Sequence, residues 1–305
     1  MCIKERGDHP HPLTRAGIFL CGAIGAIVSS GRMRGARRMR AHDEQGARIM
    51  TPSRFLATTS SILAIALAAS ACAGAEPKEE DPTKTAEYHY KMAAGHFKEH
   101  QVPMAIRELT VALEIDNDHG HSHYLMGYIF MGRRDYTKAV RHFKEALRID
   151  SNFHDARNAL GATYLAMERW SDAAEQFEIL IEEPMYATPE IAHNNLGWSY
   201  YNRRKHSRAL EHFKMATFLK PGFCLGHNNV GLAMKELNNN EGAIKSWRKA
   251  IELCPSNYAE PHFHLGRALQ EFRNPQAYSH FERCAQLQPN STLGERCRRH
   301  MQMYQ

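Results

Sequence analysis

NLGWSYYNRRKHSRALEHFKMATFLKP, residues 195–221, holds the pattern on which the fold turns. Gly197 sits inside an apolar run, Ala209 precedes Phe213 by four residues, and Pro221 closes the stretch. Residues four apart share one helical face, and proline stops a helix. Working outward, LMGYIF (125–130), ALGATY (159–164), NVGLAM (229–234) and HLGRAL (264–269) repeat the first signature. The glycines fall at 127, 161, 197, 231 and 266, at intervals of 34, 36, 34 and 35 residues. KAVRHFKEAL (138–147), DAAEQFEILI (172–181), GAIKSWRKAI (242–251) and QAYSHFERCA (276–285) repeat the second. There Ala139, Ala173, Ala243 and Ala277 precede Phe143, Phe177, Trp247 and Phe281 by four. Prolines recur at 255 and 289, and Ala93, Ala105, Leu109 and Ala112 place a weaker unit upstream.

This spacing resembles the tetratricopeptide repeat, a helix–turn–helix unit of 34 residues. It predicts an all-α solenoid of about six repeats over residues 85–289, with residues 290–305 as a C-terminal cap. The residue types suit such a stack. The glycine and the small residue let two helices approach, and the aromatic fills the space they leave; one unit cannot bury its faces alone. A two-residue insertion near EEPMYATPE (182–190) and a deletion near Asn274–Pro275 read as loop changes.

In such a solenoid the first helix of each unit lines a concave groove. Counting from the glycine, the expected lining is Tyr90 and Phe97, then Tyr124, Tyr128 and Met131, then Asn158, Ala162 and Leu165. Asn194, Trp198 and Tyr201 follow, then Asn228, Leu232 and Lys235, then Phe263, Arg267 and Gln270. Its N-terminal half is rich in aromatics, and asparagine recurs at 158, 194 and 228. An amide both donates and accepts, so a row of them suits a peptide backbone. An apolar groove points to a protein partner; the alternative is that these residues pack or hydrate the helices themselves.

The net charge of +6 belongs to the leader. Residues 1–71 hold ten Lys/Arg and four Asp/Glu of the chain's 39 and 33, which leaves 29 of each sign beyond. The body is neutral, which argues against nucleic acid. FLATTSSILAIALAASA (55–71) follows Arg54 and ends at Cys72, the form of a signal peptide with a short apolar core. Ala69, Ser70, Ala71 and Cys72 resemble the bacterial lipobox, with Ala69 where that motif has a larger aliphatic residue. The resemblance implies lipidation of Cys72 and, from Ala73 after it, an outer-membrane location on the periplasmic face. The alternative is an ordinary signal peptide cut after Ala71. Residues 72–84 read as a flexible tether, 50–71 as the signal peptide, and 1–49 as an upstream extension outside the fold.

HGHSH (119–123) and HFH (262–264) invite a metal reading, but residues two apart on a helix point away from each other. No metal or other cofactor is expected. No phosphate loop or nucleophile motif stands in a strand–turn–helix context, so the chain reads as a non-enzyme without a small-molecule substrate. Cys224, Cys254, Cys284 and Cys297 form an even set with three possible connectivities. Pairs 224–254 and 284–297 fit the helical frame, and four free thiols are the alternative.

The lipobox-like leader, the repeat count and the paired HNNLGW (193–198) and HNNVGL (227–232) helices resemble the PilF/PilW/Tgl group of type IV pilus biogenesis lipoproteins, the pilotins. That resemblance implies a membrane-anchored scaffold promoting the localisation and multimer assembly of the secretin through which the pilus exits. A periplasmic adaptor recruiting peptidoglycan enzymes is the second reading, and a repeat domain accessory to a glycosyltransferase or secretion enzyme the third.

Overall fold

The computed structural model describes residues 85–304, so the expectations for Cys72, the signal peptide, the tether and the upstream extension lie outside the described residues. The described chain is helical throughout, with thirteen helices and no strand. They form six antiparallel pairs: α1 (Ala86–Lys98) with α2 (Val102–Ile115), α3 (Gly120–Gly132) with α4 (Tyr136–Ile149), and α5 (His154–Ala166) with α6 (Trp170–Ile181). Next come α7 (Pro189–Asn202) with α8 (His206–Leu219), α9 (Cys224–Glu236) with α10 (Asn240–Leu253), and α11 (Glu260–Glu271) with α12 (Gln276–Leu287). A last helix, α13 (Thr292–Gln302), packs on α12 and α11. Among the described residues no helix is long and apolar enough to cross a membrane.

Five of the six pairs, all but the first, are closed by one contact type, a glycine of the first helix against a ring of the second. A Cβ added at Gly161 would stand 2.7 Å from the Phe177 ring, and one at Gly197 2.7 Å from Phe213. Gly127 meets Phe143 at 2.8 Å and Gly266 meets Phe281 at 2.9 Å in the same way. The rings of Phe143, Phe177, Phe213 and Phe281 are fully buried. Burying each contributes about 2–3 kcal/mol, and glycine makes the approach possible.

The turn between the two helices of a unit also has one form. His100, Arg134, Glu168, Arg204, Asn238 and Arg273 have φ between 53° and 63°. Each is followed by a residue whose N–H reaches back five positions, as Arg169 to the Tyr164 carbonyl (2.9 Å) and Lys205 to Tyr200 (3.0 Å). This is the Schellman closure, which satisfies the last helical carbonyls and usually takes glycine. No glycine occupies the left-handed position in any of these six turns.

Successive units stack so that each first helix touches the next first helix, α1 against α3 and onward to α9 against α11. The second helices make no comparable contact, so the first helices form the inner wall of the curve. Cys224 and Cys254 are disulfide-bonded across the ends of α9 and α10, with Cα atoms 6.1 Å apart. Cys284 of α12 is bonded to Cys297 of α13 at 6.2 Å, tying the last helix to the stack.

Candidate functional site

The inner wall divides the expected lining into two classes. Phe97, Tyr128, Trp198 and Tyr201, on α1, α3 and α7, are half-buried. Phe97 meets Tyr128 edge-on at 5.9 Å, and Trp198 stacks on Tyr201 at 5.2 Å with 14° between the planes. Burial, then the nearby Glu236 carboxylate, pushes the Tyr201 phenol up to about 12, so it stays neutral at physiological pH. Leu232, Lys235 and Gln270 are also partly open, and Arg267 is exposed.

The second class is not a surface. Tyr124 and Asn194 are fully buried, Met131 and Leu165 are 2% exposed, and Ala162 and Phe263 are covered as well. Tyr90, Asn158 and Asn228 keep 8%, 8% and 4%. The correction has one cause: counting positions on an isolated unit leaves out what the next unit lays over them. Phe153, from the loop before α5, packs at a tilt against Tyr124, with ring centroids 4.9 Å apart. Asn194 accepts a hydrogen bond from Asn229 Nδ2 across the α7–α9 contact (2.9 Å) and donates to Asn195 Oδ1 (3.4 Å). Asn228 Nδ2 in turn donates to Asn229 Oδ1 (3.3 Å). Asn194 therefore joins two units instead of facing a ligand.

The neighbouring amides are differently placed. Asn158 Oδ1, Asn228 Oδ1, Asn195 Nδ2, Trp198 Nε1 and Tyr124 Oη are buried and make no hydrogen bond among the described residues. An unmatched buried polar atom costs about 1–3 kcal/mol. All five atoms are closed off within the stack, so the accessible part of the inner wall is its half-buried rings.

A further constellation escaped sequence inspection. His123 Nδ1 lies 3.0 Å from His142 Nδ1, His193 Nδ1 lies 3.2 Å from His212 Nδ1, and His262 Nδ1 lies 3.1 Å from His280 Nδ1. Each pair joins the two helices of one unit. His123 Nε2 donates to the Asn117 carbonyl (3.0 Å), which leaves its Nδ1 to accept from His142. Burial, then the partner ring, lowers His142, His193 and His262 to about 4. The signal was present as His four residues before the glycine and His one residue before the aromatic. The partners stand eighteen or nineteen residues apart on two helices, far outside the i, i+3 and i, i+4 spacings that share one helical face. Among the described residues no group of three or more His, Cys, Asp or Glu is placed to hold a metal. The histidines of HGHSH and HFH belong partly to these pairs: His123 and His262 are pair members, whereas His264 stacks on Trp247.

Comparison with known proteins agrees with this architecture. Tetratricopeptide-repeat models match residues 130–184 and 158–222, and a TPR-repeat model matches 231–271. The fold is a tetratricopeptide-repeat solenoid. Its helix pairs superpose on the crystal structure of PilW, described as a widely conserved type IV pilus biogenesis factor. That match has a TM-score of 0.62 at 17% identity, over 69% of this chain and 97% of the other. Pseudomonas aeruginosa pilF gives 0.60 at 17% identity, over 70% and 97%. The Cut9–Hcn1 tetramer of the anaphase-promoting complex gives 0.58 at 18%, over 71% and 42%. At these identities the likeness shows the fold alone. Among curated proteins, anaphase-promoting complex subunit 3 of Schizosaccharomyces pombe is 22% identical over 58% of this chain and 26% of its own length. Subunit 6 of Arabidopsis thaliana is 22% identical over 56% and 32%. The solenoid thus spans about a third or less of those relatives. Stacked tetratricopeptide repeats offer extended concave surfaces for protein partners.

Proposed function

We propose that the chain is a lipid-anchored, non-catalytic scaffold for type IV pilus biogenesis, which holds a segment of the secretin in its concave groove. The observation that carries the binding part is the row of half-buried rings at Phe97, Tyr128, Trp198 and Tyr201 along the inner wall. Such rings take the apolar side chains of an extended partner segment. The pilus part is supported by the near-complete coverage of PilW and pilF by this solenoid and by the lipobox-like end of the leader at Cys72. Lipidation at Cys72 on the periplasmic face of the outer membrane would bring secretin subunits together in two dimensions, raising their effective concentration without new contacts.

The test compares heat-resistant secretin multimers in outer-membrane fractions from the parent strain, a deletion strain and a Cys72→Ala strain. Loss of multimers on deletion, with a drop or mislocalisation for Cys72→Ala, is the expected result. Normal multimers in the deletion strain would set the secretin aside and favour an adaptor for peptidoglycan enzymes.

A further inference from the structure

The two edges of the solenoid carry opposite charge. The six turns inside units, from 99–101 to 272–275, hold seven Lys or Arg and three Asp or Glu. The six loops between units, from 116–119 to 288–291, hold one Lys and five Asp or Glu. All first helices run the same way, so every inside turn lies on one edge and every between-unit loop on the other. The positive charge concentrates at Arg133 and Arg134 of one turn and at Arg203, Arg204 and Lys205 of another. Arg133, Arg134, Arg204 and Lys205 are exposed, and Arg203 is partly so. Among the described residues none of the five has a carboxylate within ion-pair distance. The second cluster is held in place: Arg203, Lys205 and Arg208 gather round the Tyr200 ring at 5.6, 6.0 and 5.6 Å.

We propose that this basic edge lies against an anionic phospholipid bilayer, with the five residues as headgroup ligands. Charge complementarity favours that occupant: cations near an anionic leaflet each add attraction, and an acidic edge turned away avoids repulsion. The chain before the solenoid permits it. The apolar run 55–71 ends at Cys72, and residues 72–84 then lead to the start of α1 on the acidic edge. Thirteen extended residues reach about 43 Å, and crossing the width of the solenoid along α1 takes about 20 Å. The tether can therefore run from a membrane at the basic edge to α1. This orientation rests on the membrane attachment proposed above, and it sets the groove side-on to the bilayer.

The test uses the full chain and reads Lys205 acetylation by mass spectrometry. Vesicles of phosphatidylcholine with phosphatidylglycerol should slow Lys205 acetylation on the order of tenfold. Phosphatidylcholine vesicles should not, and exposed Lys245 on α10 should react equally in both. Arg203→Glu with Arg204→Glu should restore the Lys205 rate, while the leader, common to both proteins, still binds the vesicles. Equal rates at Lys205 with either vesicle overturn the proposal, as does equal protection of Lys245 or persistent protection in the double variant. Protection by polyglutamate but not by vesicles would assign the edge to an acidic protein and also overturn it. Lipid incorporation at Cys72 is measured separately, so failure of the anchor and failure of the edge are told apart.

Discussion

Gly161→Ala and Gly95→Ala are the same chemical change, yet the structure predicts opposite signs. Both glycines are helical, and alanine is favoured over glycine in a helix interior by about 1 kcal/mol. At Gly95 on α1 nothing lies within 4 Å of the added Cβ, so only that gain acts. Gly95→Ala should stabilise by about 0.5–1 kcal/mol. At Gly161 the methyl would meet Phe177 Cζ at 2.7 Å, Cε1 at 2.9 Å and Cε2 at 3.1 Å. Phe177 is fully buried and has nowhere to swing. Overpacking of this kind costs about 1–3 kcal/mol, which outweighs the helical gain and leaves Gly161→Ala destabilised by about 1 kcal/mol. Chemical denaturation followed by far-ultraviolet circular dichroism measures both shifts. A double variant, Gly161→Ala with Phe177→Leu, should cost less than the two single changes summed, since the smaller side chain yields the space. Midpoints moving the same way for both alanine variants would refute the account of how the units close.

Further outcomes follow from single features. Glu168→Gly should stabilise by about 0.5–1 kcal/mol, because Glu168 holds φ at 58°, where a Cβ is strained, and thermal melts will show it. Replacing Cys224 and Cys254 together by serine should lower stability by about 3–4 kcal/mol, the loop entropy of a bridge closing 30 residues, as denaturant midpoints will report. His142, His193 and His262 have folded pKa values of about 4 against an ordinary 6.5. The unfolded chain thus binds more protons between those values. The pairs' contribution is full above pH of about 6.5 and is lost as pH falls toward about 4. His193→Gln should flatten that part of the stability–pH curve relative to the parent.

Much of the fold was legible because its determinants are local and recur: a glycine, a small residue twelve or so positions on, and an aromatic four beyond that. The turn closure was less so, since Arg134, Glu168 and Arg204 carry no turn signature and the left-handed φ comes from the hydrogen bonds around it. The groove was read in part. Tyr128, Trp198 and Tyr201 stay half-buried, whereas Tyr124 and Asn194 are closed over by Phe153 and Asn229 of the following units. Such covering is set by the curvature of the stack, which no single unit encodes. The histidine pairs lay hidden for a related reason: each partner is unremarkable on its own helix.

The central claim is that the groove holds a secretin segment, and cross-linking from a photoreactive residue at Tyr201 tests it most directly. The account predicts a covalent adduct with the secretin in cells, lost when Tyr128→Ala and Trp198→Ala are added to the same chain. An adduct that survives those changes, or none from Tyr201 while a photoreactive residue at exposed Lys245 on the convex side yields one, would contradict it.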